Sequence, residues 1–561
     1  MSENDIDWEL EEGVPQIDDP FIQQYLKGRT SLILEENKQR YDTNFRKALS
    51  PTATKACEIV SRICARGLTT EGLIKGNGTR SGHYNSLSHS IRDQVQETDL
   101  WRILQRMPKG SLLHAHTENI VDIDHLIDQA FATTGIHLYA PKPLVVEDDQ
   151  ECFYFRYLLR EQSSDNVSTL WEATYKPLSL ISLQEAASSF PKGGEAGFRD
   201  WLKKRFTAVQ RQSNHLDDDG IWVTNRSSPA PIYSLLSYEP IFRSCLKQAF
   251  AQLAADGISD LELRHEFTIK FTREGSSAAE DDYFKWCRVF QEELQRFRTI
   301  EGHDSFGARV IWTASRTLSN KEMSDSMVDC ILAKQEYPGI ICGFDVVGHG
   351  DHCRSLVDLV PILFWFRKQC AEEGTNIPFL FHAGGGLGDE EETGHDLFDA
   401  ILLGTRRIGE GNSLYKHPLL VELVKEKKIL VECCSFSNNA RPTNYIQGRP
   451  LSVLLSRGVP VSLCSDPRGI GEHGLIGLTA EFWQALQGPD KLDLPGLAMI
   501  VENSIRWSCY EDQSAAEWLS DMRGGILGKG LKATRLREWY TNFEKFCEWV
   551  TVEFANLDTD D

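Results

Sequence analysis

The chain has 561 residues, 41% of them hydrophobic and 25% charged, which supports a sizeable buried core and excludes wholesale disorder. This length exceeds that of an ordinary single domain, so we expect one large elaborated domain or two to three smaller ones. Asp and Glu number 82 against 60 Lys and Arg, and the net charge of −22 argues against nucleic acid and acidic membrane surfaces as partners.

The N-terminal segment and the cysteines together predict a cytoplasmic protein. Residues 1–20 form an acidic tail without the apolar core of a signal peptide. The longest apolar stretch, at 357–366, is about half the length that spans a membrane. The 14 cysteines form no CxxC pair, which fits a reducing compartment and argues against a cysteine-based zinc module.

Helical periodicity dominates both ends of the chain, and short apolar runs dominate its middle. Residues 21–99 predict a helical extension, and 511–561 predict C-terminal helices. Between them, at 100–510, eight apolar runs alternate with helical segments, which predicts a (β/α)8 barrel. The predicted strands cover 110–116, 258–265, 308–314, 339–348, 377–384, 405–409, 428–434 and 459–466.

The connection after the first predicted strand, at about 117–257, is too long to be a single crossover helix. We therefore expect an inserted helical subdomain there. Elsewhere the helix boundaries carry ordinary signals, since Pro418 and Pro450 suit the first turns of helices and Gly404 and Gly458 suit their ends.

Polar side chains follow the predicted strands at the face of the barrel that carries catalysis. The first strand ends in His114 and His116, whose i, i+2 spacing turns both imidazoles to one side. The fifth ends in His382, the sixth in Glu410 and the eighth in Asp466. Each one alone is explained as a hydrogen-bonded core histidine or a turn residue. Their joint placement on one rim indicates a site for one divalent metal, zinc or another borderline ion.

Seven segments, in order, resemble the motifs of the adenosine deaminase family, most closely its growth-factor-related branch in an intracellular form. They are MPKGSLLHAHTE (107–118), LELR (261–264), GFDVVGHGD (343–351), FHAGG (381–385), RRIGEG (406–411), ECCSFSN (432–438) and SLCSDP (462–467). The resemblance implies a barrel of the amidohydrolase superfamily and a homodimer built through the N-terminal extension. It also implies one catalytic zinc, with ligands His114, His116, His382 and Asp466.

Three positions depart from the family pattern. Gly385 stands where the family has the glutamate that acts as general acid, and Glu410 stands where it has the catalytic histidine. On the eighth strand, a gapless alignment places Asp466 on the ligand aspartate and Pro467 on the second aspartate. A gapped alignment instead places Ser465 at the ligand position and keeps Asp466 as the second aspartate.

Four residues are candidates for binding the substrate: Glu118, Gly348, His349 and Gly385. Glu118 takes the place of the family's sugar-contacting aspartate. Gly385 removes a side chain beside the metal and would widen the pocket. His349 is a candidate replacement acid, although a solvated loop histidine is the simpler interpretation.

These departures predict poor adenosine deamination, because loss of a general acid or base costs about 10²–10⁴-fold in rate. Our first hypothesis is a divergent metallohydrolase in which metal-activated water attacks a C–N or C–O bond of a small molecule. Glu410 would be its base and Asp466 its second catalytic residue; a new metal ligand and a residue without function are the alternatives for Glu410. A second hypothesis is a dead pseudo-deaminase that binds nucleosides or acts as a scaffold. A third is an adenosine deaminase with residual activity.

Overall fold

A computed structural model shows the arrangement of most of the chain. It describes several continuous ranges of residues. These are 14–69, 95–146, 152–159, 169–210, 213–216, 222–225, 230–348, 353–385, 395–434, 450–464, 477–487 and 492–558.

Within these residues, eight parallel strands form two groups of four. The first group is β1 (Gly110–His116), β2 (Ile258–Glu266), β3 (Gly307–Ser315) and β4 (Ile341–Val347). The second is β5 (His382–Ala383), β6 (Arg407–Glu410), β7 (Leu430–Cys433) and β8 (Val461–Leu463). A parallel bridge between Phe344 and Phe379 joins the two groups. The predicted (β/α)8 barrel is therefore confirmed.

The first and last strands are tied together at their starts by the helix Leu494–Arg506. Asn503 Nδ2 donates to the carbonyl oxygen of Val461 at 2.9 Å, and Ser504 Oγ accepts from the amide of Ser111 at 3.0 Å. The barrel is thereby closed below by a helix whose apolar side chains are buried.

Helices alternate with the strands, as the sequence pattern predicts. Pro418 and Pro450 are the first residues of their helices, and Gly404 and Gly458 follow helix ends with φ of 69° and 79°. The crossover helices are Phe284–Thr299, Asn320–Glu336, Leu356–Glu372, Asp396–Leu402, Pro418–Lys427, Pro450–Ser456 and Thr479–Gln487.

The insertion after β1 is helical, as expected, and it also contains short strands that the sequence pattern does not predict. Ile136–Tyr139, Tyr154–Tyr157 and Ile181–Ser182 form a small antiparallel sheet, and Ser213–Leu216 pairs with Trp222–Asn225. Two-residue periodicity over four residues is too short to stand out beside longer helical patterns. Its helices are Ile123–Ala132, Leu183–Ser188, Gly194–Gln210, Ala230–Leu236 and Glu239–Ala255.

Both ends of the chain are helical, and the N-terminal helical extension is confirmed. Its helices are Pro20–Gln39, Thr43–Lys47, Pro51–Thr69 and Asp99–Arg106, and the C-terminal ones are Ala515–Gly524 and Leu531–Glu553. The long C-terminal helix packs against Pro51–Thr69. The domain boundaries at residues 20, 99 and 510 stay predictions. Among the described helices, none combines the length and apolar character needed to cross a bilayer.

Candidate metal and catalytic site

Three histidines converge where β1 and β5 meet the rim of the barrel. The ring centroids of His114 and His382 are 4.6 Å apart, those of His116 and His382 5.1 Å, and those of His114 and His116 5.3 Å. One ligand nitrogen from each ring lies within 4.8 Å of the other two, and all three side chains are buried. The structure thus brings together the three histidines of the predicted ligand set.

The donor atoms of this histidine cluster fit a metal ion. His114 Nε2 is buried and has no hydrogen-bond partner among the described residues, which is costly for a polar atom unless a ligand meets it. The Nε2 atoms of His116 and His382 lie 3.2 Å apart. Imidazole nitrogens are preferred ligands of zinc and of similar divalent ions, so the cluster suits one such ion.

Two buried carboxylates orient the rings from behind. Glu432 Oε2 lies 2.9 Å from His114 Nδ1, and Asp345 Oδ2 lies 2.6 Å from His382 Nδ1. A carboxylate on Nδ1 fixes the tautomer and leaves Nε2 as the metal-binding atom. Arg264, fully buried, joins the two carboxylates at 2.8 Å from Asp345 and 2.9 Å from Glu432.

The charges of this network set the protonation states that a metal site needs. Burial opposes the ionisation of Asp345, but His382 and Arg264 outweigh it and hold its pKa at about 2. Burial also opposes the ionisation of Glu432, yet Arg264 leads the charges that keep its pKa below the usual range. Burial, followed by the charge of Arg264, lowers the pKa of His114 to about 3. A neutral imidazole is the form that binds a metal.

Arg407 extends the network towards the bottom of the barrel. Its guanidinium group donates to Glu432 Oε1 at 2.5 Å and to Glu262 Oε2 at 2.6 Å. It also donates to the carbonyl oxygen of Trp507 at 3.0 Å. Beneath the histidines, the barrel therefore contains hydrogen-bonded ion pairs, which satisfies the requirement that buried charges be paired.

Sequence reasoning missed the roles of Arg264, Asp345, Arg407 and Glu432. The available signal was an ionisable residue inside an otherwise apolar, buried strand, which is rare without a partner. The partners themselves could not be read from local pattern, since Arg264 bonds residues 81 and 168 positions away.

Glu410 ends β6 with an unusual backbone and lies against the segment that follows β5. Its φ is 69°, in the left-handed region that disfavours side chains. Its side chain is buried, and a Cβ added to Gly385 would overlap its Oε2 atom and lie 3.0 Å from its Cδ atom. A Cβ added to the preceding Gly409 would lie 3.0 Å from His114 Cε1. Glu410 therefore follows directly on the residue that packs against the histidine cluster.

Glu118, two residues beyond β1, is held by a residue of the insertion. Tyr233 Oη donates to Glu118 Oε2 at 2.7 Å. Burial, followed by the charge of Glu118, raises the pKa of Tyr233 well above its usual value, so the hydroxyl keeps its proton. Burial, again followed by Glu118, raises the pKa of Glu266 at the end of β2 to about 8. The insertion therefore contributes to the rim of the barrel.

Of the remaining candidates, Gly348, His349, Ser465 and Asp466, only Gly348 lies within the described residues. Gly348 is packed tightly, since a Cβ there would lie 2.8 Å from Cys353 Sγ. His349, Ser465 and Asp466 lie outside the described residues. The fourth metal ligand therefore stays a prediction. The catalytic role of Glu410 and the substrate-binding roles of the other candidates stay predictions as well.

The chain is similar in sequence to known deaminases. Residues 249–523 match the family model described as adenosine deaminase. Adenosine deaminase 2-A of Danio rerio is 24% identical over 454 residues, which cover 79% of this chain and 84% of the relative. Adenosine deaminase 2 of Dictyostelium discoideum is 26% identical over 498 residues, covering 88% and 84%. The match to the crystal structure of Arabidopsis N6-mAMP deaminase covers 76% of this chain and 100% of the Arabidopsis chain, at 14% identity and a TM-score of 0.45.

Proposed function

We propose that the chain is a divergent metal-dependent hydrolase of the amidohydrolase superfamily, because it is similar to adenosine deaminases along most of its length. It would cleave a C–N bond, or a C–O bond, of a small molecule. The observation that carries the proposal is the buried histidine cluster, whose unpartnered His114 Nε2 calls for a ligand. Glu410 supports it as an ionisable group next to that cluster.

Each residue of the site has its own proposed role. His114, His116 and His382 would hold the metal ion, with Asp466 as the fourth ligand and zinc as the expected ion. When bound, such an ion supplies water activation and polarises the bond to be broken. Glu410 would take the proton of the attacking water, as the glutamate of HExxH metalloproteases does.

The substrate would be held opposite the metal by residues of the rim. Glu118 is the residue best supported for this role, because the Tyr233 hydroxyl orients its carboxylate. We further propose Gly385, Gly348 and His349 as neighbours of the substrate. Gly385 offers no group to protonate a purine ring nitrogen, so adenosine should be a poor substrate.

Metal analysis and a turnover panel test the proposal. We expect about one divalent ion per chain and turnover of an amide, lactam, ester or modified base that is lost on chelation. Glu410→Gln should lower the rate on that substrate about 10²–10⁴-fold while retaining the metal. Glu97→Gln, at an exposed glutamate, is the matched control and should leave the rate unchanged. Purified protein without stoichiometric metal would refute the proposal.

A pseudo-deaminase is the second candidate, favoured by the joint change at Gly385 and Glu410. It predicts that nucleosides raise the unfolding temperature while no member of the panel is consumed. A third candidate, residual adenosine deamination, is tested by adenosine and 2′-deoxyadenosine in the same panel.

We also propose a cytoplasmic homodimer. All fourteen cysteines are in the described residues and none forms a disulfide, which supports a reducing compartment. The family resemblance supports the dimer, and sedimentation of the purified chain tests it. The net charge of −22 supports a small-molecule substrate and no nucleic-acid partner.

A further inference from the structure

We propose that Glu410 makes both proton transfers of the reaction, because its carboxylate occupies the space that a side chain at position 385 would need. The inference rests on the proposed function and deepens it. It makes Gly385 a specificity-determining residue, since the missing side chain there is what admits the Glu410 carboxylate.

The first support is steric. A Cβ on Gly385 would overlap Glu410 Oε2 and would stand 3.0 Å from Cδ, a tighter contact than most Cβ atoms make. The backbones of the two segments are hydrogen-bonded to each other, so the Glu410 side chain is the part that would have to move. The Gly411 amide donates to the Ala383 carbonyl at 3.0 Å, and the Ser413 amide donates to the Gly384 carbonyl at 3.0 Å. The present position of Glu410 and any side chain at 385 therefore exclude one another.

The second support is the backbone of Glu410. Among the described residues, Leu178, Glu410 and Lys428 are the non-glycine residues with positive φ. Leu178 and Lys428 are exposed, whereas Glu410 is buried. A strained backbone conformation kept at a buried position is typical of functional sites. Here the left-handed conformation directs the side chain of β6 over the end of β5.

The proton transfers balance with one water molecule and one carboxylate. The water oxygen bonds to the electrophilic carbon, and one water proton passes to Glu410. Protonated Glu410 then donates this proton to the leaving nitrogen as the C–N bond breaks, and the bonding electron pair leaves with the nitrogen. Water has then been added across the C–N bond, an amine or ammonia departs, and Glu410 is ionised again.

A single proton carrier defines the class of substrate. An amide or lactam needs a proton only at its leaving nitrogen, so Glu410 suffices. A 6-aminopurine also needs a proton on its ring nitrogen while the neighbouring carbon becomes tetrahedral, and position 385 has no group to supply it. The site is therefore built for amide-type C–N bonds.

A double-mutant cycle of positions 385 and 410 tests the geometry without any activity. In the metal-free protein, Gly385→Ala should lower the unfolding temperature, because the Glu410 side chain must move. In the Glu410→Gly background, the same substitution should have little effect, because the space is then empty. Gly339→Ala is the control, since a Cβ there meets nothing within 4 Å. Equal destabilisation by Gly385→Ala in both backgrounds would overturn the steric argument.

Turnover tests the chemistry. With the metal bound, Gly385→Ala should lower kcat on the amide substrate about 10²-fold or more with unchanged metal content, while Gly339→Ala should not. Gly385→Glu combined with Glu410→His should raise adenosine turnover at least ~10-fold over the natural chain, and neither single variant should. An unchanged kcat in Gly385→Ala, or no gain in the double variant, refutes the inference while leaving a metallohydrolase in place. Natural protein that turns over nothing refutes the proposed function, and the catalytic inference with it.

Discussion

The first four barrel strands differ from the last four in length and in what they carry. Strands β1–β4 have seven to nine residues, whereas β5–β8 have two to four. The long strands contribute Glu262, Arg264 and Asp345, which belong to the charge network beneath the histidines. The short strands lead into Gly385 and contain Glu410, where the chain departs from the adenosine deaminase motifs that it resembles. The supports of the histidine cluster come from both halves, because Arg407 and Glu432 lie on β6 and β7, whereas the two exchanged positions lie only in the short-strand half.

Strand length provides a physical reason why the exchanged positions lie in the short-strand half. A long parallel ladder constrains every backbone dihedral along it, so its side chains alternate strictly between faces. Short strands release the backbone early, and Gly384 and Glu410 adopt φ of 70° and 69° at the rim. At such positions an exchange of side chains redirects a functional group without disturbing the ladder.

The largest effect is expected from Arg264→Met compared with Arg407→Met. Both arginines are fully buried, and removing either leaves buried carboxylates unpaired. Each variant should lose about 3–5 kcal/mol of unfolding free energy, measured by urea denaturation. Arg264→Met should weaken metal binding more strongly, because Arg264 contacts Asp345 as well as Glu432. Equal losses of metal affinity would mean that the network acts as one unit across both halves.

The next effect concerns the carboxylates behind the rings. Asp345→Asn and Glu432→Gln should each weaken metal binding about 10–100-fold, because a neutral amide no longer makes the imidazole a stronger ligand. Competition with a chromophoric chelator measures this affinity. Asp304→Asn, at an exposed aspartate, is the control. Unchanged affinity in Asp345→Asn would show that His382 needs no support from the long-strand half.

Glu266→Gln tests the rim of the long-strand half through pH. Folded Glu266 has a pKa of about 8, against 4.5 for an ordinary glutamate, so between these values the folded state binds more protons than the unfolded state. Its contribution to stability is therefore complete below pH 4.5 and is lost as pH rises through 8. The glutamine variant should gain up to about 1.4 kcal/mol per pH unit over the natural chain in that window. A pH-independent difference in unfolding free energy would contradict the raised pKa.

The smallest effect is expected from Tyr233→Phe, which removes the hydrogen bond to Glu118. The KM should rise about 5-fold, corresponding to about 1 kcal/mol, with kcat nearly unchanged in steady-state assays. Tyr25→Phe, at an exposed tyrosine, should change neither constant. A fall in kcat instead would place Glu118 in the chemistry.

Particular residues show how much of the site and the fold could be predicted from the sequence. His114 and His116 could be paired from their spacing, and His382 joined them because strand ends in a barrel share one rim. The sequence pattern does not predict the strands Ile136–Tyr139 and Tyr154–Tyr157, because four residues are too few to show a two-residue periodicity. Asp345 and Glu432 lie within two of the seven motifs, but the residues that they bond lie on other strands. The motifs therefore do not predict these contacts.

By itself, the sequence determined the barrel, the three histidines and the exchange at positions 385 and 410, because each depends on local pattern or on motif order. Only the tertiary structure decided that the Glu410 carboxylate fills the space over Gly385, and that Arg264 ties together the carboxylates behind two of the histidines. Both depend on which strands are neighbours and which way their side chains point. Chain packing decides those relations, and no local periodicity encodes them.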